Sequence, residues 1–128
     1  MTVGSRLFAD GAGRDLVAAD VAVGAGWGDD APVVTIRAGS NDSRGAIDVL
    51  SDGSNQAQAT ATVTVTFTKA YDAAPIVVVG GDIADLGAAG AATHGWNVGA
   101  VSTTAFTVTL DTIPVDAKDY GFSYVVVG

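Results

Sequence analysis

Thr60-Ala61-Thr62-Val63-Thr64-Val65-Thr66-Phe67 repeats with a period of two: four threonines alternate with Ala61, Val63, Val65 and Phe67. Only an extended strand sends successive side chains to opposite faces. β-branched residues also lose rotamer freedom in a helix and pack well on a pleated surface. One face of this strand is therefore core. The other is a threonine ladder, suited to water or to a partner.

The same period continues on both sides. Upstream, Val33 to Arg37 and Ala46 to Leu50 read as short strands joined by turn-rich residues from Gly39 to Gly45. Downstream, Pro75 opens the apolar run Ile76-Val77-Val78-Val79, which Gly80-Gly81 closes, and residues 80–95 form the longest connection. Trp96 to Val101 resumes the alternation, and Ala105 to Leu110 turns Phe106, Val108 and Leu110 inward. Tyr120 to Val127 sets Tyr120, Phe122, Tyr124 and Val126 on one face. Val125 and Val127 leave its other face partly apolar, as in a central strand or one covered by a neighbouring subunit. About seven short strands at regular spacing predict an all-β fold, an antiparallel β-sandwich of jelly-roll or immunoglobulin-like type. The expected core holds Phe67, Ile76, Val78, Trp96, Phe106, Phe122 and Tyr124.

Residues 1–31 read differently. Glycines at 11, 13, 24, 26 and 28 would break any long helix, so this segment is expected as an extended N-terminal arm with one helical turn near Asp15–Ala19. The sandwich domain then spans 32–128, and deletion of the arm is expected to leave it folded. Leu7, Phe8, Leu16, Val17 and Trp27 must bury against that domain or against another subunit. With Val125 and Val127 they are the candidate interface residues. Met1 to Asp10 lacks a basic stretch followed by a long apolar run, so no signal peptide is expected there. The apolar runs are also too short to span a membrane.

Composition narrows the function. All 14 acidic residues are aspartate, Lys69 and Lys118 are the only lysines, and the net charge is −8. Aspartate favours caps and turns over helices. Phosphate backbones are bound by clustered cations, whereas Arg6, Arg14, Arg37 and Arg44 are scattered, each with an aspartate nearby. No nucleic-acid partner is expected. The absence of cysteine removes disulfides, thiolate metal sites and thiol nucleophiles together.

Catalytic chemistry has few parts to draw on. The one histidine, His94, lacks a supporting motif with Ser102 or Ser123, and is expected in a solvated loop or at an interface. Asp29 with Asp30, and Asp82 with Asp85, sit beside glycines and read as turns, not as carboxylates flanking a sugar bond. Asn41-Asp42 and Gly81 to Asp85 offer oxygens without the dense alternation of a calcium loop. Gly11 to Arg14 and Gly24 to Gly28 lack the lysine of a phosphate loop. Trp27, Trp96 and Tyr71 would stack on sugars only if exposed, and Trp96 reads as core. No catalytic residue, metal site or cofactor is expected.

Ala59 to Phe67, followed by Lys69-Ala70-Tyr71-Asp72-Ala73-Ala74-Pro75-Ile76-Val77-Val78-Val79, resembles a recurrent module of tailed-phage structural proteins. In that module a Thr/Val strand ends in Phe, an aromatic–x–x–x–Pro corner follows, and a valine strand comes next. Ser102 to Val108 and Tyr120 to Gly128 fit the same pattern. Ala25 to Gly28 and Ala38 to Gly45 are similar to segments of phage tail-fibre and virion-surface domains. The resemblance covers most of residues 25–128 and carries no catalytic signature.

What the resemblance implies is a β-sandwich that trimerises or caps a larger assembly on the virion exterior. The partners would be the major capsid protein or other virion structural proteins, and further copies of the chain. One reading is a capsid decoration (auxiliary head) protein that stabilises the major capsid shell. Another is a tail-fibre or minor tail module that attaches to a host-surface glycan. A third, an enzyme on cell-wall sugars, has only exposed aspartates in its favour. The Asp, Ala, Gly and Val bias would suit a phage of actinobacteria.

Overall fold

The structure is a computed structural model that describes residues 13–80 and 94–128. These residues hold eight strands: β1 (Val21–Val23), β2 (Val33–Ile36), β3 (Arg44–Leu50), β4 (Thr62–Thr66), β5 (Ile76–Gly80), β6 (Trp96–Val101), β7 (Ala105–Leu110) and β8 (Asp119–Val127). They form two antiparallel four-stranded sheets, ordered β1-β4-β7-β6 and β2-β3-β8-β5. The fold is all-β and sandwich-like, as the period of two predicts.

Alternation sets each face. Val63 and Val65 of β4 are fully buried beside their β7 partners Val108 and Phe106. On the opposite side of the same two strands, the hydroxyls of Thr64 and Thr107 meet at 2.9 Å. In the second sheet β8 pairs with β3 from Asp119 to Val125 and with β5 from Ser123 to Val127. Its inward side chains, Tyr120, Phe122, Tyr124 and Val126, are buried.

Ring contacts run through the core without a break. Tyr71 meets Phe67 edge-on with centroids 4.8 Å apart, Phe67 meets Phe106 at 5.8 Å, and Phe106 meets Tyr124 at 5.3 Å. Phe122 then reaches Trp96 at 4.7 Å, and Trp96 reaches Trp27 at 5.9 Å. Tilted and edge-to-face geometries of this kind add stabilisation beyond the area buried.

Two expectations need correction. The first is the parity of β5. Ile76 and Val78 pair with Val127 and Val125, which point away from the core, so Ile76 and Val78 are exposed while Val77 and Val79 pack inward. A run of four aliphatics has no period, so nothing local fixes which pair faces in.

The second correction concerns residues 13–31, which do not stand off as an arm. β1 forms the edge of the first sheet, with Val21 opposite Val65. Leu16 and Trp27 belong to the core, and the Trp27 indole N–H donates to the Thr62 carbonyl at 2.8 Å. Gly28 has φ +107°, and any Cβ there would run into the carbonyl of Asp52, so the glycine lets the chain turn away tightly behind the indole. The division at 31/32 is therefore not a boundary in the packing. Leu7 and Phe8 lie outside the described residues.

Removing residues 1–31 is accordingly expected to abolish the β circular-dichroism signal, reversing the outcome expected from sequence. Trp27→Ala should lower unfolding free energy by about 3–5 kcal/mol, the usual cost of emptying a buried large aromatic site. Urea denaturation of the variant measures this directly.

Candidate functional site

Because β8 lies between β3 and β5, the residues alternating with its core side chains form the outer face of the second sheet. Cross-strand pairing arranges this face in rows. Ile76 lies beside Val127, Val78 beside Val125 and Arg44, and Gly80 beside Ser123 and Ala46. Next come Gly121 with Asp48 and Thr35, and then Asp119 with Leu50 and Val33.

The first two rows make an aliphatic corner. Ile76 is 67% exposed, Val78 58%, Val125 44% and Val127 36%. Single exposed aliphatics are ordinary on protein surfaces, but adjacent ones form the kind of patch that marks an interaction site.

The third row is a floor of small residues. The Arg37 amide N–H donates to the Ala46 carbonyl at 3.0 Å, which sets Arg37 at the far end of that row. Arg37, Ser40, Arg44, Gly45, Ala46 and Ser123 line an open cleft of about 430 Å³, with Tyr124 alongside. Among the described residues the ion pair is Arg14 with Asp20, at 2.6 Å, and neither Arg37 nor Arg44 has a carboxylate partner.

The last two rows hold an acid pair. Asp48 is 2% exposed, and its Oδ1 has no hydrogen-bond partner among the described residues. Burial, followed by the hydrogen bond with Asp119 and the charge of that neighbour, pushes the Asp48 carboxyl up to about 7. Keeping its proton spares Asp48 a buried charge.

The other residues singled out from sequence are dispersed. His94 is buried, not solvated: its ring packs edge-on against Tyr120 at 5.1 Å, and Nε2 lies 3.4 Å from the Gly121 carbonyl. Asp29 accepts from the Ser54 amide at 2.9 Å and from Asn55 Nδ2 at 2.6 Å, which ties a turn together. Asp42, also buried, accepts from the Thr68 and Lys69 amides at 2.7 and 3.0 Å. The side-chain oxygen of Asn41 accepts from the Ser43 and Arg44 amides. Asp82 and Asp85 lie outside the described residues. Among the described residues no three His, Cys, Asp or Glu side chains converge in a way that could hold a metal ion.

Of the candidate interface residues, Leu16 and Trp27 are interior, whereas Val17, Val125 and Val127 are exposed. Trp27 and Tyr71 are too deeply buried to offer a sugar a stacking surface, and Trp96 packs against the core. No helix among the described residues is long and apolar enough to cross a membrane.

Sequence reasoning missed the acid pair and the convergence of two arginines. Asp48 was legible in principle, as a carboxylate inside the apolar stretch Ala46 to Leu50. The arginines meet only because the hairpin of β2 and β3 folds them into neighbouring rows. Comparison with protein-family models, curated proteins and solved structures finds no match.

The raised Asp48 value makes stability depend on pH. The unfolded chain releases this proton near pH 4, while the folded chain keeps it to about 7, so its stabilisation is complete below pH 4 and lost as pH rises through 7. Asp20, lowered chiefly by its hydrogen bond with Arg14, and Asp29, lowered chiefly by the Ser54 amide, act in the opposite sense and lose stability as pH falls below about 4. Unfolding free energy should therefore peak at mildly acidic pH and decline by on the order of 2 kcal/mol towards pH 8. Asp48→Asn should flatten the alkaline side of the curve, and urea titrations of both proteins from pH 3 to pH 9 test this.

Proposed function

We propose that the protein is a structural component of the exterior of a tailed-phage virion, where it acts as a capsid decoration protein that binds and stabilises the major capsid shell. The observation that carries this reading is the aliphatic corner of Ile76, Val78, Val125 and Val127, held on paired strands and open to solvent. Such a corner gains about 25 cal/mol for each Å² that a partner removes from water. Paired strands hold it in one shape, so little ordering cost opposes docking. The sequence resemblance supplies the class of partner, the major capsid protein or another virion protein. Further copies of the chain, as in the trimers that the resembling modules form, fit the same surface.

An immunoglobulin-like sandwich is the finer class we adopt. With β1, β4, β5, β6, β7 and β8 taken as strands A to F, one sheet reads A-B-E-D and the other contains C-F, the order of that fold. The β2–β3 hairpin, inserted between A and B, fills the place of strand G. In a jelly roll wound from one long hairpin, the first and last strands would pair, whereas β1 and β8, the first and last strands among the described residues, lie in different sheets.

A second reading, a tail module that attaches to the host surface, is favoured by the cleft that carries Arg37 and Arg44. An enzyme on cell-wall sugars has less to draw on, since Asp29 is engaged in a turn and Asp48 is buried.

Copy number separates the first two readings. Densitometry of purified virions should show hundreds of copies per particle, and a handful would overturn decoration in favour of the tail. Val78→Asp combined with Val125→Asp should keep the β circular-dichroism signal while abolishing attachment to particles. Attachment by the double variant at parental level would remove the corner from the interface.

A further inference from the structure

We propose that the cleft between Arg37 and Arg44 binds an anionic saccharide, whose carboxylate or phosphate the two guanidinium groups hold. This does not depend on where on a particle the protein sits.

The first argument is charge. The chain carries a net −8, so its few cations have many aspartates to pair with. Arg14 pairs with Asp20, yet Arg37 and Arg44 line one cleft with no carboxylate partner among the described residues. Among the described residues no carboxylate lines that cleft either. Two guanidinium groups on the same cleft repel one another, and an oxyanion between them turns the repulsion into attraction. The planar fork of each can donate two parallel N–H bonds to a carboxylate or phosphate.

The second argument is hydrogen bonding. Ser123 lies on the floor, partly buried, and its hydroxyl has no hydrogen-bond partner among the described residues. It is free to donate to an acid oxygen or to exchange bonds with a sugar hydroxyl. Ser40, by contrast, receives the Ala46 amide N–H on its Oγ at 3.1 Å and thereby fixes the wall.

Shape decides between a ring and an extended chain. Between the arginines the cleft is lined by Gly45, Ala46 and Ser123, small residues of β3 and β8 that leave room for a ring. That floor belongs to paired strands, so its backbone groups are taken up by neighbouring strands and cannot receive an acidic peptide by strand addition. Recognition therefore rests on guanidinium and hydroxyl groups, the donors that suit a polyhydroxylated acid. The cleft of about 430 Å³ falls in the size range of small-ligand sites.

Amide-resolved NMR titration of the whole protein tests this with glucuronate, glucose 6-phosphate, glucose, inorganic phosphate and tri-aspartate. One or both acidic sugars should give saturable shifts at Arg37, Arg44, Gly45 and Ser123, weakened by added salt. The stronger of the two names the source of the oxyanion. Glucose and inorganic phosphate should bind at least about tenfold more weakly, and Arg37→Gln and Arg44→Gln should each weaken the acidic sugar by a similar factor, about 1.4 kcal/mol. Both arginines are exposed, so a parental amide spectrum for each variant checks that the fold is intact. Inorganic phosphate binding as tightly as the sugar acids would overturn the saccharide assignment. Binding of tri-aspartate alone would reassign the cleft to a protein contact and equally overturn it. No saturable shift with any probe, or shifts that survive both Gln substitutions, would remove the site.

Discussion

The alternation along β8 is the constraint on which the rest of the molecule depends. This strand is bonded on both edges, to β3 and to β5, so its register is fixed twice. A slip of one residue would send Tyr120, Phe122 and Tyr124 into water and bring Gly121, Ser123 and Val125 into the core. The aromatic side chains make that slip prohibitive, because each buries far more surface than its alternates. The same pairing that hides the rings must expose Val125, Val127 and Ser123. Core and outer face are thus two consequences of one register.

The two sheets are joined where β5 ends. Among the described residues the pairing of β5 with β8 ends at Gly80 opposite Ser123, and the Gly121 carbonyl lies further along that same edge of β8. Trp96, from the edge strand of the other sheet, donates its indole N–H to that carbonyl at 3.0 Å, and His94 Nε2 lies 3.4 Å away. Trp96 also meets Trp27, whose own N–H reaches β4 through Thr62. A buried carbonyl without a donor costs about 1–3 kcal/mol, so a ring nitrogen from the other sheet that reaches this carbonyl ties the two sheets together. The single histidine of the chain is a packing residue here.

Strands with mixed composition were legible in the sequence; those without it were not. Thr60 to Phe67, Ala105 to Leu110 and Tyr120 to Val127 each alternate large apolar with small or polar residues, and each buries the face the pattern indicates. Ile76 to Val79 has no contrast, and only pairing with β8 chooses its inner face. β1 covers three residues among glycines, too few for any period, and it is held by β4 through tertiary contact. The arginines looked balanced by nearby aspartates because sequence distance carries no direction. In the fold, Asp42 turns inward to the Thr68 and Lys69 amides, while Arg44 lines the outer cleft.

Corner and cleft are adjoining parts of one surface, and Arg44 belongs to both. It shares a row with Val125 and Val78 and lines the cleft beside Ser123. A partner seated on the aliphatic corner would take water away from this guanidinium. An unpaired charge removed from water is costly, and pairing with an anion offsets most of that cost. Any partner that covers the corner must therefore bring a carboxylate to Arg44 or close over an oxyanion already held there. A purely apolar partner is disfavoured on that ground. On the proposed reading the surface would select by charge as well as by shape, since a net-acidic protein repels acidic partners at long range except towards the end of the second sheet's outer face where two arginines line one cleft.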